Sequence, residues 1–105
     1  MELIQEIQNK VENNLFEFSK HAVDQTIMRN ISVAEVKESI FNKSKIIEDY
    51  PNDKYGPSCL ILGFSLNNRP IHIQCSYPSR SLLKIITLYE PKPEKWVNYE
   101  RRRKS

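Results

Sequence analysis

The apolar residues of this chain follow a helical period through the first forty positions and an alternating one afterwards. In "ELIQEIQNKVEN", Leu3, Ile4, Ile7 and Val11 recur at helical spacing with Gln, Glu and Lys between them, which predicts a helix over residues 2–13. Asn13 and Asn14 are its expected terminators, and "NNLFEF" then places Phe16 and Phe18 on one side of a short extended piece. Ser19 caps a second expected helix through Arg29, with Ala22, Val23, Thr26 and Ile27 as its inner stripe and His21, Gln25 and Arg29 on another. Ser32 and Glu35 have capping-box spacing, so a third helix is expected from Val33 to Asn42, burying Val36 and Ile40. The second and third helices form a hairpin around "NIS".

After Lys43 the strings "KIIEDY", "CLILGFSL", "PIHIQCSY" and "LLKIITLY" are four strand candidates, separated by "PNDKYGPS", "NN" and "PSRS". "YPND" reads as a turn, with Pro51 fixing φ and Asn52 and Asp53 supplying local hydrogen bonds. A two-residue turn at Asn67 and Asn68 sets Leu60 against Cys75, Leu62 against Ile73 and Phe64 against Ile71. The large apolar residues of both strands then share one face, Cys59 and Cys75 fall on opposite faces, and His72 lies opposite Gly63. A connection through Pro78 to Arg80 opposes Tyr77 with Leu82 and sets His72 against Thr87. The expected result is a polar cluster of His72, Thr87, Tyr89 and Ser65 on the sheet face away from the helices.

Composition narrows the classes. With 105 residues and 39% hydrophobic content, the chain has material for one core, so a single domain over residues 1–105 is expected. No apolar run approaches the roughly 20 residues that span a bilayer, and the acidic, amphipathic start is unlike a signal peptide, so a cytoplasmic protein without a membrane partner is expected. Cys59 and Cys75 read as buried, reduced thiols. Two histidines without Cys or carboxylate at ligand spacing argue against a metal site, two glycines leave no phosphate loop, and no cofactor is expected. Sixteen basic against thirteen acidic residues give +3, but "RRRK" at Arg101–Lys104 holds four of the positives. The basicity therefore sits in a C-terminal tail, residues 99–105, which reads either as a phosphate-binding segment or as a solvated, frayed end.

The strings "FSKHAVDQTIMRNIS", "IIEDYPNDKYGPSCLILG", "RPIHIQC", "IITLYEP" and "KW" occur in the order and spacing of an uncharacterised prokaryotic family, domain-of-unknown-function family 4258. The resemblance covers about Phe16 to Trp96 and implies an α+β fold like that of the RelE, ParE and BrnT toxins: N-terminal helices on one face of a curved, mainly antiparallel sheet of about four strands. It implies the toxin half of a toxin and antitoxin pair, whose partner is an antitoxin, in some members of zinc-finger type. The family pattern matches His21, Arg29, Tyr50, Pro51, Asp53, Gly63, His72, Thr87, Tyr89 and Trp96.

Metal-independent RNA cleavage needs a base for the 2′-hydroxyl, an acid for the leaving oxygen and cations for the phosphorane. In a toxin-like ribonuclease acting on free or ribosome-bound RNA, His72 and His21 are the candidate proton carriers, Arg29 the phosphate fork and Tyr89 a positioning group. Thr87, Trp96, Arg101, Arg102 and Arg103 are candidate substrate contacts, Trp96 beside Lys92 and Lys95 as a platform for a splayed base. Each has a structural alternative: His72 bonded to Thr87, Arg29 bridged to Glu48 or Asp49, Trp96 sealing a core. The competing function is a non-catalytic, ParE-like interaction module of the same fold.

Overall fold

The computed structural model describes residues 2–104; Ser105, the end of the basic tail, lies outside them. The periodic segments become α1 (Leu3–Glu12), α2 (Lys20–Met28) and α3 (Val33–Phe41). Ser19 Oγ accepts the Ala22 N–H at 3.0 Å, and both halves of the Ser32–Glu35 capping box are formed, so local side-chain bonds start α2 and α3 where the sequence predicts. The strands are β1 (Phe16–Phe18), β2 (Lys45–Tyr50), β3 (Ser58–Phe64), β4 (Pro70–Ser76) and β5 (Leu83–Tyr89). They form one sheet in the order β1-β5-β4-β3-β2, antiparallel except where β1 runs parallel to β5. The class is α+β, with five strands rather than about four, because the short Phe16–Phe18 piece pairs at the sheet edge.

The β3–β4 register differs from expectation by one residue, and this exchanges the faces of β3. Cys59 faces Cys75, Ile61 faces Ile73 and Leu62 faces His72. The loop has three residues, not two: the Asn68 N–H bonds the Ser65 carbonyl at 2.8 Å, and Asn68 alone takes a left-handed φ of 64°. A type I turn followed by one left-handed residue is the standard three-residue hairpin. Ser65 therefore closes the turn, its Oγ accepting the Arg69 N–H, and is not part of an outer polar cluster. The two thiols meet inside the core, sulfurs 4.0 Å apart and both free.

Between β4 and β5 the partners are His72 with Tyr89, Ile73 with Leu88 and Gln74 with Thr87, so Thr87 does not face His72. This is a shift of two from the expected pairing; a bulge between Gln74 and Cys75 then brings Cys75 opposite Ile85.

Ile61, Ile71, Ile73 and Ile85 on one face of the sheet pack with Ile7, Val11, Ala22, Val36 and Ile40 of the helices. Gly63 permits the closest approach, since a Cβ there would overlap the Ser39 carbonyl of α3. In α2 the inward residues are Ala22 and Gln25, while Val23 and Ile27 of the expected stripe are exposed. That short helix lies against β5 through Ala22 and Gln25, one residue from each expected stripe, while His21 stays exposed and bonds Thr87 Oγ1 at 3.1 Å.

The opposite, outer face carries Leu60, Leu62, His72 and Gln74. Part of it is covered by a second, two-stranded sheet, β6 (Trp96–Val97) and β7 (Arg101–Arg102). The basic tail is thus not a frayed end through Arg102. Its turn places Asn98 and Tyr99 at φ of 52° and 62°, a conformation that is costly for a bulky side chain. No helix among the described residues is long and apolar enough to cross a membrane.

Candidate functional site

His72 sits on the outer face with no exposed surface. Its Nε2 donates to the Tyr99 carbonyl at 2.6 Å, and its Nδ1 accepts from the Tyr89 hydroxyl at 3.2 Å, which assigns a neutral ring protonated at Nε2. The Trp96 ring stands edge-on over it, centroids 4.4 Å apart, and Tyr89 lies at 5.2 Å. Burial holds the imidazole pKa below its ordinary value, partly opposed by the Tyr99 carbonyl and by Glu48. The histidine fastens the C-terminal hairpin to the sheet, and the carbonyl it binds belongs to one of the two residues with left-handed φ in the turn.

A second fastening comes from β2. Arg102 makes a two-point ion pair with Glu48, Nε to Oε2 at 2.8 Å and a second nitrogen to Oε1 at 3.1 Å. Its guanidinium lies 4.7 Å from the centre of the Trp96 ring. Tyr50 also donates to Glu48. Burial would raise the Glu48 pKa, but the hydrogen bonds from Arg102 and Tyr50 outweigh it and keep the carboxyl below its ordinary value.

Beside this hairpin opens a cleft of about 270 Å³ lined by Arg29 from the end of α2, Tyr89 and Glu90 from the end of β5, and Lys92, Lys95, Trp96 and Arg102. Glu90 is engaged by Arg69 at 2.6 Å. Among the described residues, Arg29, Lys92 and Lys95 form no ion pair, and Arg29 is held by Gln25 rather than by Glu48 or Asp49. Burial raises the Tyr89 pKa, so its phenol stays protonated at neutral pH. Trp96 is only 5% exposed, with Arg102 against its ring and His72 at its edge, so it seals the hairpin onto the sheet; the cleft offers cations beside a phenol oxygen, a combination suited to an anion such as phosphate.

Four sequence-predicted residues, Arg29, Tyr89, Trp96 and Arg102, thus meet at one place, with His72 behind them rather than in the opening. His21 and Thr87 pair with each other and do not line the cleft. Arg101 is exposed on β7, and Arg103 donates to the Pro93 carbonyl at 2.7 Å. Two residues organise the site in roles the sequence does not show, Arg69 and Glu48, the latter expected as a partner of Arg29 and found on Arg102. Arg69 binds the Arg29 and Asn30 carbonyls at the end of α2 together with Glu35 and Glu90, and so ties α2, α3 and the end of β5 to one side chain. Glu48 anchors the hairpin; the alternation of "KIIEDY", which sets Glu48 and Tyr50 on one side, is the signal that could have found it. No group of three or more His, Cys, Asp or Glu among the described residues is arranged to hold a metal ion.

A family model described as Domain of unknown function (DUF4258) matches residues 18–90. The chain belongs to that family. The DUF4258 span runs from the end of β1 through β5 and contains His21, Arg29, Glu48, Arg69, His72 and Tyr89. It stops before Lys92, Lys95, Trp96 and Arg102, so the cleft combines family positions with a C-terminal hairpin outside the matched span. No curated protein and no solved structure matches this chain.

Proposed function

We propose that this protein is the toxin-type member of a toxin and antitoxin pair, with a fold of the RelE and BrnT kind, and that it binds single-stranded RNA through the basic cleft. The observation that carries the reading is the convergence of Arg29, Lys92, Lys95 and Arg102 on Tyr89 and Trp96. Arg29, Lys92 and Lys95, which form no ion pair among the described residues, attract phosphates, while Arg102 is held by Glu48 and the buried Trp96 ring forms the wall behind them.

In metal-independent cleavage the cations would stabilise the phosphorane as its charge develops, the Tyr89 phenol would turn its one proton from His72 Nδ1 to the leaving 5′-oxygen, and the 2′-hydroxyl proton would pass to water. His72 is then a positioning residue, holding the Tyr89 oxygen through Nδ1. A specific observation favours the non-catalytic alternative: both nitrogens of His72 are engaged, and Glu90, the carboxylate in the cleft, is held by Arg69. An antitoxin would be expected to cover apolar side chains that α2 presents to solvent, Ile27 and Met28, which are 75% and 77% exposed.

The deciding experiment incubates the purified chain with single-stranded RNA in the presence of a chelator and measures binding and cleavage separately. The ribonuclease reading expects cleavage that Tyr89→Phe lowers at least tenfold while binding persists. Binding without cleavage in any RNA would select the non-catalytic module, and no binding would overturn the RNA reading. Copurification with the product of the adjacent gene tests the antitoxin, with Ile27→Glu expected to weaken the pair.

A further inference from the structure

The hairpin covers only part of the outer face. Beyond it lies a groove of about 640 Å³, lined by Gln74 and Ser76 of β4, Lys84 and Ile86 of β5, and loops that carry Tyr55, Arg80 and Asp53, whose carboxylate accepts from the Tyr55 N–H and Ser58 Oγ. β5 connects the two openings: Lys84 lies in the groove and Tyr89 in the basic cleft, five residues or about 17 Å apart along the strand. We infer that the groove is a second binding site for the same RNA strand, taking one base beside Tyr55 and the adjoining phosphates on Arg80 and Lys84. The inference rests on the RNA-binding reading of the cleft and extends it to a two-point track.

Three observations support this assignment. Arg80 and Lys84 form no ion pair among the described residues, so their charge is available to phosphate. Tyr55 is 83% exposed in the β2–β3 loop, with the Lys54 ammonium 4.9 Å from its ring centre, leaving an aromatic surface at the mouth of the groove. The floor is mixed in the way a base requires. Ile86 and Tyr77 supply apolar surface, and Gln74 donates its amide to Ser58 Oγ at 3.3 Å, which leaves its carbonyl oxygen as an acceptor for an exocyclic amine. Groove volume is within the range of small-ligand sites.

The test compares a dinucleotide with a twelve-residue single-stranded RNA on the full chain, using Trp96 and Tyr55 ring resonances as reporters of cleft and groove. The dinucleotide should shift Trp96 alone, and the longer strand should shift both. Arg80→Glu with Lys84→Glu should weaken the twelve-residue strand at least tenfold, lower the log–log salt slope by about 1.4 for two lost contacts, and leave the dinucleotide within twofold. Tyr55→Ala should weaken the longer strand by roughly tenfold without changing the slope. Lys84→Ala, a milder change, should give a smaller loss in the same direction. An unchanged affinity and slope in the charge-reversed protein, with Lys92→Glu and Lys95→Glu still abolishing binding, would overturn the groove and leave the cleft standing. Failure of the unaltered chain to bind either RNA would overturn both.

Discussion

The two faces of the sheet are built from the same strands but held in different ways. The helix face is apolar and close-packed, with Ile61, Ile71, Ile73 and Ile85 fully buried against three helices. The outer face is held by directional contacts to a small hairpin: His72 to the Tyr99 carbonyl, Arg102 to Glu48, and the edge of Phe64 against Tyr99 at 6.4 Å. Apolar burial is additive and tolerant of solvent changes, whereas a few polar fastenings can be undone one at a time. The fold should therefore depend on the first face, and the shape of the basic cleft on the second.

The largest effect is expected where the helix face has no slack. In Gly63→Ala the new Cβ would overlap the Ser39 carbonyl, a backbone atom that cannot turn aside, so α3 must leave the sheet. We expect a loss of more than about 3 kcal/mol in urea unfolding, above the ordinary cost of overpacking. Gly56→Ala is the control. Its Cβ meets nothing within 4 Å and its φ of 109° is the only obstacle, so about 1 kcal/mol is expected. Equal losses at the two glycines would mean that α3 does not press on β3 as described.

Adjacent residues of β4 give the sharper contrast. Ile73→Ala removes a fully buried side chain from the helix face and should cost about 3 kcal/mol in global stability. His72→Ala leaves the Tyr99 carbonyl without its donor and should cost less globally, about 2 kcal/mol. Hydrogen exchange separates them. The Arg103 amide, bonded to the Lys95 carbonyl, and the Glu100 amide, bonded to Val97, should lose protection in His72→Ala well before the amides of β3 do. Uniform loss of protection would place the hairpin in the same cooperative unit as the core.

What the sequence revealed follows the range of the interactions. Helix starts were legible because Ser19, and Ser32 with Glu35, act within three residues. The β3–β4 register was not, because an Asn-Asn pair satisfies a two-residue turn as well as a three-residue one, and the choice of Asn68 alone for the left-handed position exchanged the faces of Leu60, Leu62 and Phe64. The α2 stripe was misread because a helix against a strand edge buries small and polar residues, Ala22 and Gln25, while its larger apolar ones face outward. Arg29, Tyr89, Trp96 and Arg102 could be named individually, but neither their meeting in one cleft nor the place of His72 behind it could be read. Its partner is a carbonyl 27 residues away, in a turn whose neighbouring Arg and Lys residues have the pattern of a solvated tail.

A pH series tests the polar side of the comparison with the smallest perturbation. His72 has a folded pKa below 6.5 because burial disfavours the imidazolium, while in the unfolded chain it takes a proton at its ordinary value. Between those two values the unfolded state holds more protons, so stability rises with pH; the contribution is complete above about 6.5 and is lost as pH falls through the interval below it. Glu35 and Glu48 act at lower pH. The Ser32 backbone bond and Arg69 hold Glu35 below 4.5, and Arg102 and Tyr50 hold Glu48 there against its burial, so their contributions are present above 4.5 and lost on further acidification. The expected urea midpoint falls in two stages, the first removed in His72→Gln and the second retained. Protection of the Arg103 amide should fall with the first stage, since the hairpin is what His72 holds. A first stage that survives His72→Gln would assign it to another group and leave the polar fastening of the hairpin to the Arg102–Glu48 and Lys45–Glu100 pairs.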